Sequence, residues 1–303
     1  MKITDQTTGR LGAVALMLSV LLFIAGCGGK NGGGHRSVII PSADGTKILT
    51  AQDLVLDISH LDLGYFMVQY QGEADKIYLQ LTGEDQTDYK YFIEPSENYV
   101  TIPLTVGDGT YYTCVYESVG NNQYSPIWAD QLDVELSDKF GPFLCSSQYV
   151  NFTMNSRTAE LSAEVTADAK DDLEKVTCIY SWVVQNITYD YEKAITVESG
   201  YLPDNDRTIR SGKGICFDYA ALMTAMARIQ GIPAKLNIGY LSGSVYHAWI
   251  SIYLDGTGWI DGMIRYDGND WEMMDPTVAS ESGAGEAEKI ALEDDSYIVR
   301  YVR

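Results

Sequence analysis

Three residues in the second half of the chain are of the types that form a cysteine nucleophile, its base and an orienting acid. They are Cys216, His247 and Asp275. Cys216 follows a glycine-bearing loop and opens an apolar stretch that reads as a helix, and the positive end of a helix favours the thiolate. His247 is the only histidine in this half, and a carboxylate at Asp275 can fix the tautomer of its ring. The order Cys, His, Asp indicates cysteine acyl transfer.

These residues need elements that bring them together. The pattern predicts a helix from Cys216 to Gln230, because Gly231 and Pro233 end it, and strands follow. His247 lies on a predicted strand whose alternate residues are apolar. We expect the apolar face to pack on the core and the histidine face to look toward the helix start. Asp275 closes a later strand-like piece.

Upstream of Cys216 the spacing of apolar residues predicts helix over 159–186, interrupted by a polar break at 168–172. Residues 192–213 read as one long connection, which is either functional or poorly ordered. Helices followed by an antiparallel sheet indicate an α+β fold for this half.

Four motifs along this half, in order, resemble the transglutaminase-like superfamily of papain-like cysteine enzymes. The resemblance implies a papain-like cysteine protease fold, a thioester on Cys216, and catalytic roles for Cys216, His247 and Asp275. An oxyanion hole would use the Cys216 backbone N–H and a second donor, for which Tyr189 is the candidate, with Trp182 and Gln185 behind it. The motifs are Gly-Ile-Cys-Phe-Asp-Tyr-Ala at 214–220, Gly-Ile-Pro at 231–233, His-Ala-Trp at 247–249 and Asp-Pro-Thr at 275–277.

The expected activity is attack on amide bonds of proteins or peptides, with hydrolysis slightly favoured over cross-linking. A cell-wall-associated substrate stays open. The alternative is a surface binding or adhesion module that keeps the fold without turnover. Thiol reactivity at Cys216 would distinguish the two functions.

The first half has a different pattern. From residue 38 to 150, short alternating or apolar runs are separated by turn signals such as those at 107–109 and 120–122. This pattern predicts an all-β sandwich of immunoglobulin-like type, followed by the transglutaminase-like domain over 151–303.

The first 26 residues resemble a lipoprotein signal peptide. Lys2 and Arg10 precede an apolar run, and Ile-Ala-Gly at 24–26 leads into Cys27. We expect Cys27 to carry a lipid and residues 27–37 to form a Gly-rich tether. The protein is then exported and anchored by its lipid to the outer face of a bacterial cell membrane.

Composition excludes other classes of function. The 303 residues carry 21 Lys+Arg against 42 Asp+Glu, a net charge of −21, which argues against a nucleic-acid partner. Three scattered histidines and no Cys-x-x-Cys leave no zinc set. We expect no cofactor; calcium, which animal transglutaminases need, and a Cys114–Cys145 disulfide stay open.

Overall fold

The first half of the chain consists of strands whose side chains alternate between core and solvent. The computed structural model describes residues 36–121, 123–241, 245–261, 264–266, 271–273, 277 and 297–303. Residues 1–34 and 35–303 fall into two units, and every described residue lies in the second. The strands of this half are β1 (Ile48–Ala51), β2 (Leu54–Asp57), β3 (Tyr65–Tyr70), β4 (Ile77–Thr82), β5 (Asp88–Ile93), β6 (Val100–Pro103), β7 (Gly109–Gly120) and β8 (Gln123–Val134).

These strands form two four-stranded antiparallel sheets, in the orders β1-β2-β3-β6 and β5-β4-β7-β8. In β4 the side chains of Ile77, Leu79 and Leu81 are buried, and those between them are half-buried. Side chains from both sheets, such as Phe66 and Leu79, share one hydrophobic cluster. The immunoglobulin-like type assigned from the sequence stays a prediction.

Five α-helices follow among the described residues, and four of them begin where a side chain accepts a hydrogen bond from the first turn. The break predicted at 168–172 is present and separates the first two helices. The prediction of a single long connection over 192–213 is wrong, because two short helices occupy much of this segment. Asp190 caps the first of them and Asp204 caps the second. The helices are α1 (Arg157–Val165), α2 (Asp172–Asn186), α3 (Tyr191–Thr196), α4 (Asn205–Ser211) and α5 (Cys216–Ile229).

The described strands of the second half are β9 (Thr188–Tyr189), β10 (Lys213–Gly214), β11 (Ala234–Leu241), β12 (Val245–Leu254), β13 (Gly258–Asp261), β14 (Ile264–Tyr266), β15 (Trp271–Met273) and β16 (Tyr297–Val302). An antiparallel sheet in the order β13-β12-β11-β16 packs against α5. The sequence pattern did not predict β16. This strand pairs with β11 beside Gly239, where a Cβ atom would lie 1.9 Å from the carbonyl oxygen of Ile298, so glycine permits this approach. In addition, β9 pairs with β10 in parallel and β14 pairs with β15 in antiparallel orientation.

Two buried arginines join this sheet to distant segments. The guanidinium of Arg228 donates to the carbonyl oxygens of Cys145, Ala234 and Arg303 at 2.7 to 3.0 Å. Burial lowers the pKa of Arg228 to about 10. The Arg303 guanidinium lies 4.5 Å from the ring centre of Tyr149, near the end of the first half of the chain. The C-terminal strand is therefore tied to both halves.

The described cysteines are all free thiols: Cys114, Cys145, Cys178 and Cys216. The disulfide left open between the first two is therefore not formed in this structure. Within the described ranges, no helix combines the length and the apolar character that crossing a membrane requires.

Candidate active site

Cys216 is the first residue of α5, and its side chain is partly exposed. The preceding residue, Ile215, is extended, with φ of −96° and ψ of 173°, so the helix begins abruptly at the cysteine. The loop before it is held by β10, which pairs with β9. Cys216 therefore sits where the unpaired N–H groups of a helix point outward, which is a favourable place for a developing negative charge.

A buried carboxylate two residues later fixes this helix start. Asp218 accepts a hydrogen bond from the Ile215 N–H at 2.9 Å, and its side chain is inaccessible to solvent. A Cβ atom on Gly214 would lie only 2.7 Å from the Cβ atom of Asp218. The glycine and the aspartate of the Gly-x-Cys-x-Asp motif are therefore packed against each other behind the cysteine.

Two side chains from the segment between α2 and α4 complete the hydrogen bonds of Asp218. Lys193 of α3 donates its ammonium to Oδ2 at 2.6 Å, and the Tyr201 hydroxyl donates to Oδ1 at 2.5 Å. Lys193 also donates to the Tyr201 hydroxyl at 2.6 Å. Burial, followed by the hydrogen bond to Asp218, raises the pKa of Tyr201. We call this trio the Asp218 cluster.

His247 lies on β12 opposite Gly239 of β11. Its ring is buried and stacks on Trp249, with centroids 6.3 Å apart and planes 13° apart, and Tyr297 of β16 lies 6.3 Å away. The alternate residues of β12, including Ala248, pack in the cores that α5 shares. The apolar face of β12 therefore packs on the core, as the alternation of its residues predicts.

One cavity includes both Cys216 and His247 in its lining, and its volume is about 550 Å³. Segments far apart in sequence contribute to the lining: β5 of the first half, the segment from Ala194 to Leu202, the start of α5, strands β11 and β12, and residues 301 and 303. The cavity therefore forms only when both halves of the chain are folded.

The other predicted site residues have different outcomes. Tyr189 lines the same cavity, and its strand pairs it with Gly214 of the cysteine loop. Trp182 packs against the hydrophobic core of the second half. Asp275 and the predicted lipidation residue Cys27 lie outside the described residues.

Within the described residues, no group of three or more His, Cys, Asp or Glu side chains is arranged to hold a metal ion. Asp218, the acidic side chain nearest to Cys216 in sequence, accepts hydrogen bonds from Lys193 and Tyr201.

Sequence reasoning missed two thirds of the Asp218 cluster and the contribution of the first half to the cavity. Lys193 and Tyr201 lie in the segment treated as a connection without a motif, so no local pattern marked them. Phe92 of β5 lines the cavity as well, but in the sequence it is one of several alternating aromatic residues. Asp218 was the exception, since its place in the motif could have identified it.

Residues 159–262 match the family described as the transglutaminase-like superfamily. The chain is 31% identical over 139 residues to the mouse (Mus musculus) protein named Kyphoscoliosis peptidase, which is 42% of this chain and 19% of that protein. It is 24% identical over 176 residues to protein YebA of Bacillus subtilis, covering 49% of this chain and 22% of that protein. The matches therefore span only about a fifth of these relatives' lengths.

Among solved structures, the periplasmic domain of TgpA from Pseudomonas aeruginosa aligns with a TM-score of 0.33 at 15% identity, covering 79% of this chain and 77% of that one. Red sea bream transglutaminase aligns with a TM-score of 0.30 at 13% identity, covering 74% and 49%. The sequence match to the family includes Cys216 and His247 and ends before Asp275. Residues 159–262 are therefore similar to the transglutaminase-like superfamily.

Proposed function

We propose that this chain is a cysteine enzyme that acts on amide bonds of proteins or peptides through a thioester on Cys216. The observation that carries the proposal is that Cys216, at the start of α5, and His247, on β12, line one cavity. A partly exposed cysteine at a helix start beside a histidine is the arrangement that an activated thiolate requires. Asp275 is proposed to orient the imidazole of His247.

The reaction has two halves. The sulfur of Cys216 attacks the amide carbonyl carbon, and its proton passes to His247. The C–N bond then breaks as His247 gives that proton to the leaving amine, and the acyl group stays on sulfur as a thioester. In hydrolysis, His247 takes a proton from water, the hydroxide attacks the thioester, and the departing thiolate regains the proton.

In both halves of the reaction, the negative charge that develops on the carbonyl oxygen needs hydrogen-bond donors. The backbone N–H of Cys216 is one, because the first-turn N–H groups of a helix have no partner within the helix. We propose the Tyr189 hydroxyl as the second, on the ground that Tyr189 lines the cavity and pairs in register with Gly214.

The experiment that tests the thiol is alkylation by iodoacetamide against pH, followed by peptide mass mapping of the full chain. Cys178 is also partly exposed and serves as the reference thiol in the same sample. We expect Cys216 to react at least tenfold faster than Cys178 at about pH 6.5, and this advantage to disappear in His247→Ala. Equal rates, indifferent to His247, would exclude the enzyme and leave the binding module as the function.

Hydrolysis and transfer are separated by the acceptor that resolves the thioester. We propose hydrolysis as the main reaction, following the bacterial members that the motifs resemble. Glutamine-containing and cleavable peptides are incubated with and without a primary amine, and the products are identified by mass spectrometry. Hydrolysis gives the free acid at an unchanged rate when the amine is added, whereas transfer gives the amine adduct.

We also propose that the protein is exported and held at the outer face of a bacterial membrane by a lipid on Cys27. The apolar run at residues 11–25 and the small residues before Cys27 support this location. Detergent phase partition tests it: the chain should enter the detergent phase, and Cys27→Ser should remain in the aqueous phase. An unchanged distribution of Cys27→Ser would rule out the anchor.

A further inference from the structure

The mouth of the cavity carries large apolar side chains that are exposed to solvent. Phe92, Val197, Leu202 and Tyr246 line the cavity and are exposed by 39%, 36%, 39% and 60% of their surface. We call these four residues the apolar rim. Exposed apolar surface that is continuous with a cavity is typical of a site that binds apolar groups.

One side of the rim is tied to the helix that carries Cys216. Val197 and Leu202 lie in the same segment as Tyr201, whose hydroxyl is bonded to the buried Asp218. This segment also passes near Phe92, since a Cβ atom built on Gly200 would lie 3.9 Å from the phenyl ring.

Helix α3 extends this apolar surface. Tyr191 and Ile195 are exposed by 65% and 84%, and Ala194, between them, lines the cavity. Exposing so much apolar surface on a helix of 6 residues opposes its stability in water. A partner that covers these side chains would offset that cost.

The charged groups of the cavity are few and lie apart. Among its lining residues, Lys90 and Glu198 carry full charges on accessible side chains, while Arg303 is enclosed by tyrosine rings. A strongly charged or densely hydroxylated substrate would therefore lose hydration without gaining matching partners. An extended polypeptide advances about 3.3 Å per residue, so the side chains next to a reacting amide fall within reach of the rim.

We infer that the substrate is a polypeptide that places large apolar side chains next to the reacting amide, seated on the apolar rim. This inference rests on the proposed function, because it assigns the specificity of the same cavity. Burial of one large apolar side chain in such a site changes reactivity by about tenfold or more. The rim thus sets which amides reach Cys216.

The test compares iodoacetyl peptides that differ only in the residue beside the reactive group, leucine or phenylalanine against serine or aspartate. In the unmodified chain, we expect Cys216 to react about tenfold faster with the apolar peptides. Leu202→Asn preserves side-chain volume at an exposed position and should reduce this ratio at least threefold. Met154→Gln changes an exposed apolar residue outside the cavity and should leave the ratio unchanged.

Plain iodoacetamide has no side chain to bind to the rim, so it measures the reactivity of Cys216 separately from the specificity of the rim. Its rate at Cys216 should be the same in all three proteins. A peptide ratio near one, with fast and His247-dependent labelling by iodoacetamide, overturns the inference and leaves the proposed function standing. Slow labelling by iodoacetamide itself overturns the proposed function, and equal effects of Leu202→Asn and Met154→Gln overturn the role of the rim.

Discussion

At the scale of single residues, the side chain with the most hydrogen bonds around the candidate nucleophile is Asp218. It is fully buried and accepts hydrogen bonds from Lys193, Tyr201 and the Ile215 N–H. A buried carboxylate is tolerated only when it is paired and hydrogen-bonded. Its contribution is to hold the start of α5 beside Cys216, because these three hydrogen bonds engage both of its carboxylate oxygens.

Removing the charge of Asp218 should therefore destabilise the fold. We expect Asp218→Asn and Lys193→Met each to lower the free energy of unfolding by about 2–3 kcal/mol, because each leaves a partner unpaired. The double variant should lose at least 1 kcal/mol less than the sum of the two. Urea unfolding gives all three values.

A matched control is available at the start of α4. Asp206 also accepts backbone and side-chain hydrogen bonds, from Thr158, but does not line the cavity. Asp206→Asn should reduce stability without slowing the alkylation of Cys216, whereas Asp218→Asn should reduce both. Additive losses in the double variant would contradict the pairing of Lys193 with Asp218.

At the scale of elements, the segment from α3 to α4 forms one wall of the cavity. Its position depends on Tyr201, whose ring lies 6.3 Å from that of Phe217 and whose hydroxyl is bonded to Asp218 and Lys193. The wall is therefore tied to the helix that carries Cys216, although the two are separate in sequence.

Tyr201→Phe tests this connection, since it keeps the ring and deletes the hydroxyl. We expect the iodoacetyl-leucine peptide to react with Cys216 about three- to tenfold more slowly, while iodoacetamide changes by less than twofold. A purely structural role would lower both rates together or neither. Tyr191→Phe, on the exposed side of α3, should change neither rate.

The elements that sequence reasoning found are those with strong local signals. The helix opened by Cys216 and closed by Gly231 is of this kind, as is the strand that carries His247. The Asp218 cluster could not be predicted, because Lys193 and Tyr201 lie 25 and 17 residues away from Asp218 and only the fold brings them to it. The same holds for β16, whose pairing depends on a glycine in a distant strand.

At the scale of the whole molecule, buried tyrosines and a buried thiol should make the free energy of unfolding decrease at alkaline pH. Burial raises the pKa of Tyr89 and of Tyr91 to about 12 and that of Cys145 to about 11. A group whose pKa is higher when folded stabilises fully below its unfolded pKa, and this stabilisation is lost as pH rises through the folded value. Arg228 acts in the opposite direction, since its pKa is lowered to about 10.

The three raised groups outnumber Arg228, so stability should decline as pH rises. We expect the urea midpoint to be nearly constant from pH 7 to 8.5 and to fall steadily from about pH 9 to 11.5. Tyr91→Phe should show a shallower decline than the unmodified chain over the same range. A midpoint that rises above pH 10 would mean that Arg228 dominates.

The pairing of β16 has a consequence for the order of events during synthesis. The Val302 carbonyl of this strand accepts a hydrogen bond from Thr105, and the neighbouring Arg303 side chain donates to the carbonyl of Lys90. Contacts between residues so far apart in sequence form slowly, because a long loop must close first. The first sheets can fold while the chain is still emerging, but the cavity is completed only when its final segment arrives. The cavity at Cys216 thus stays incomplete until residues 297–303 have been synthesised and have paired.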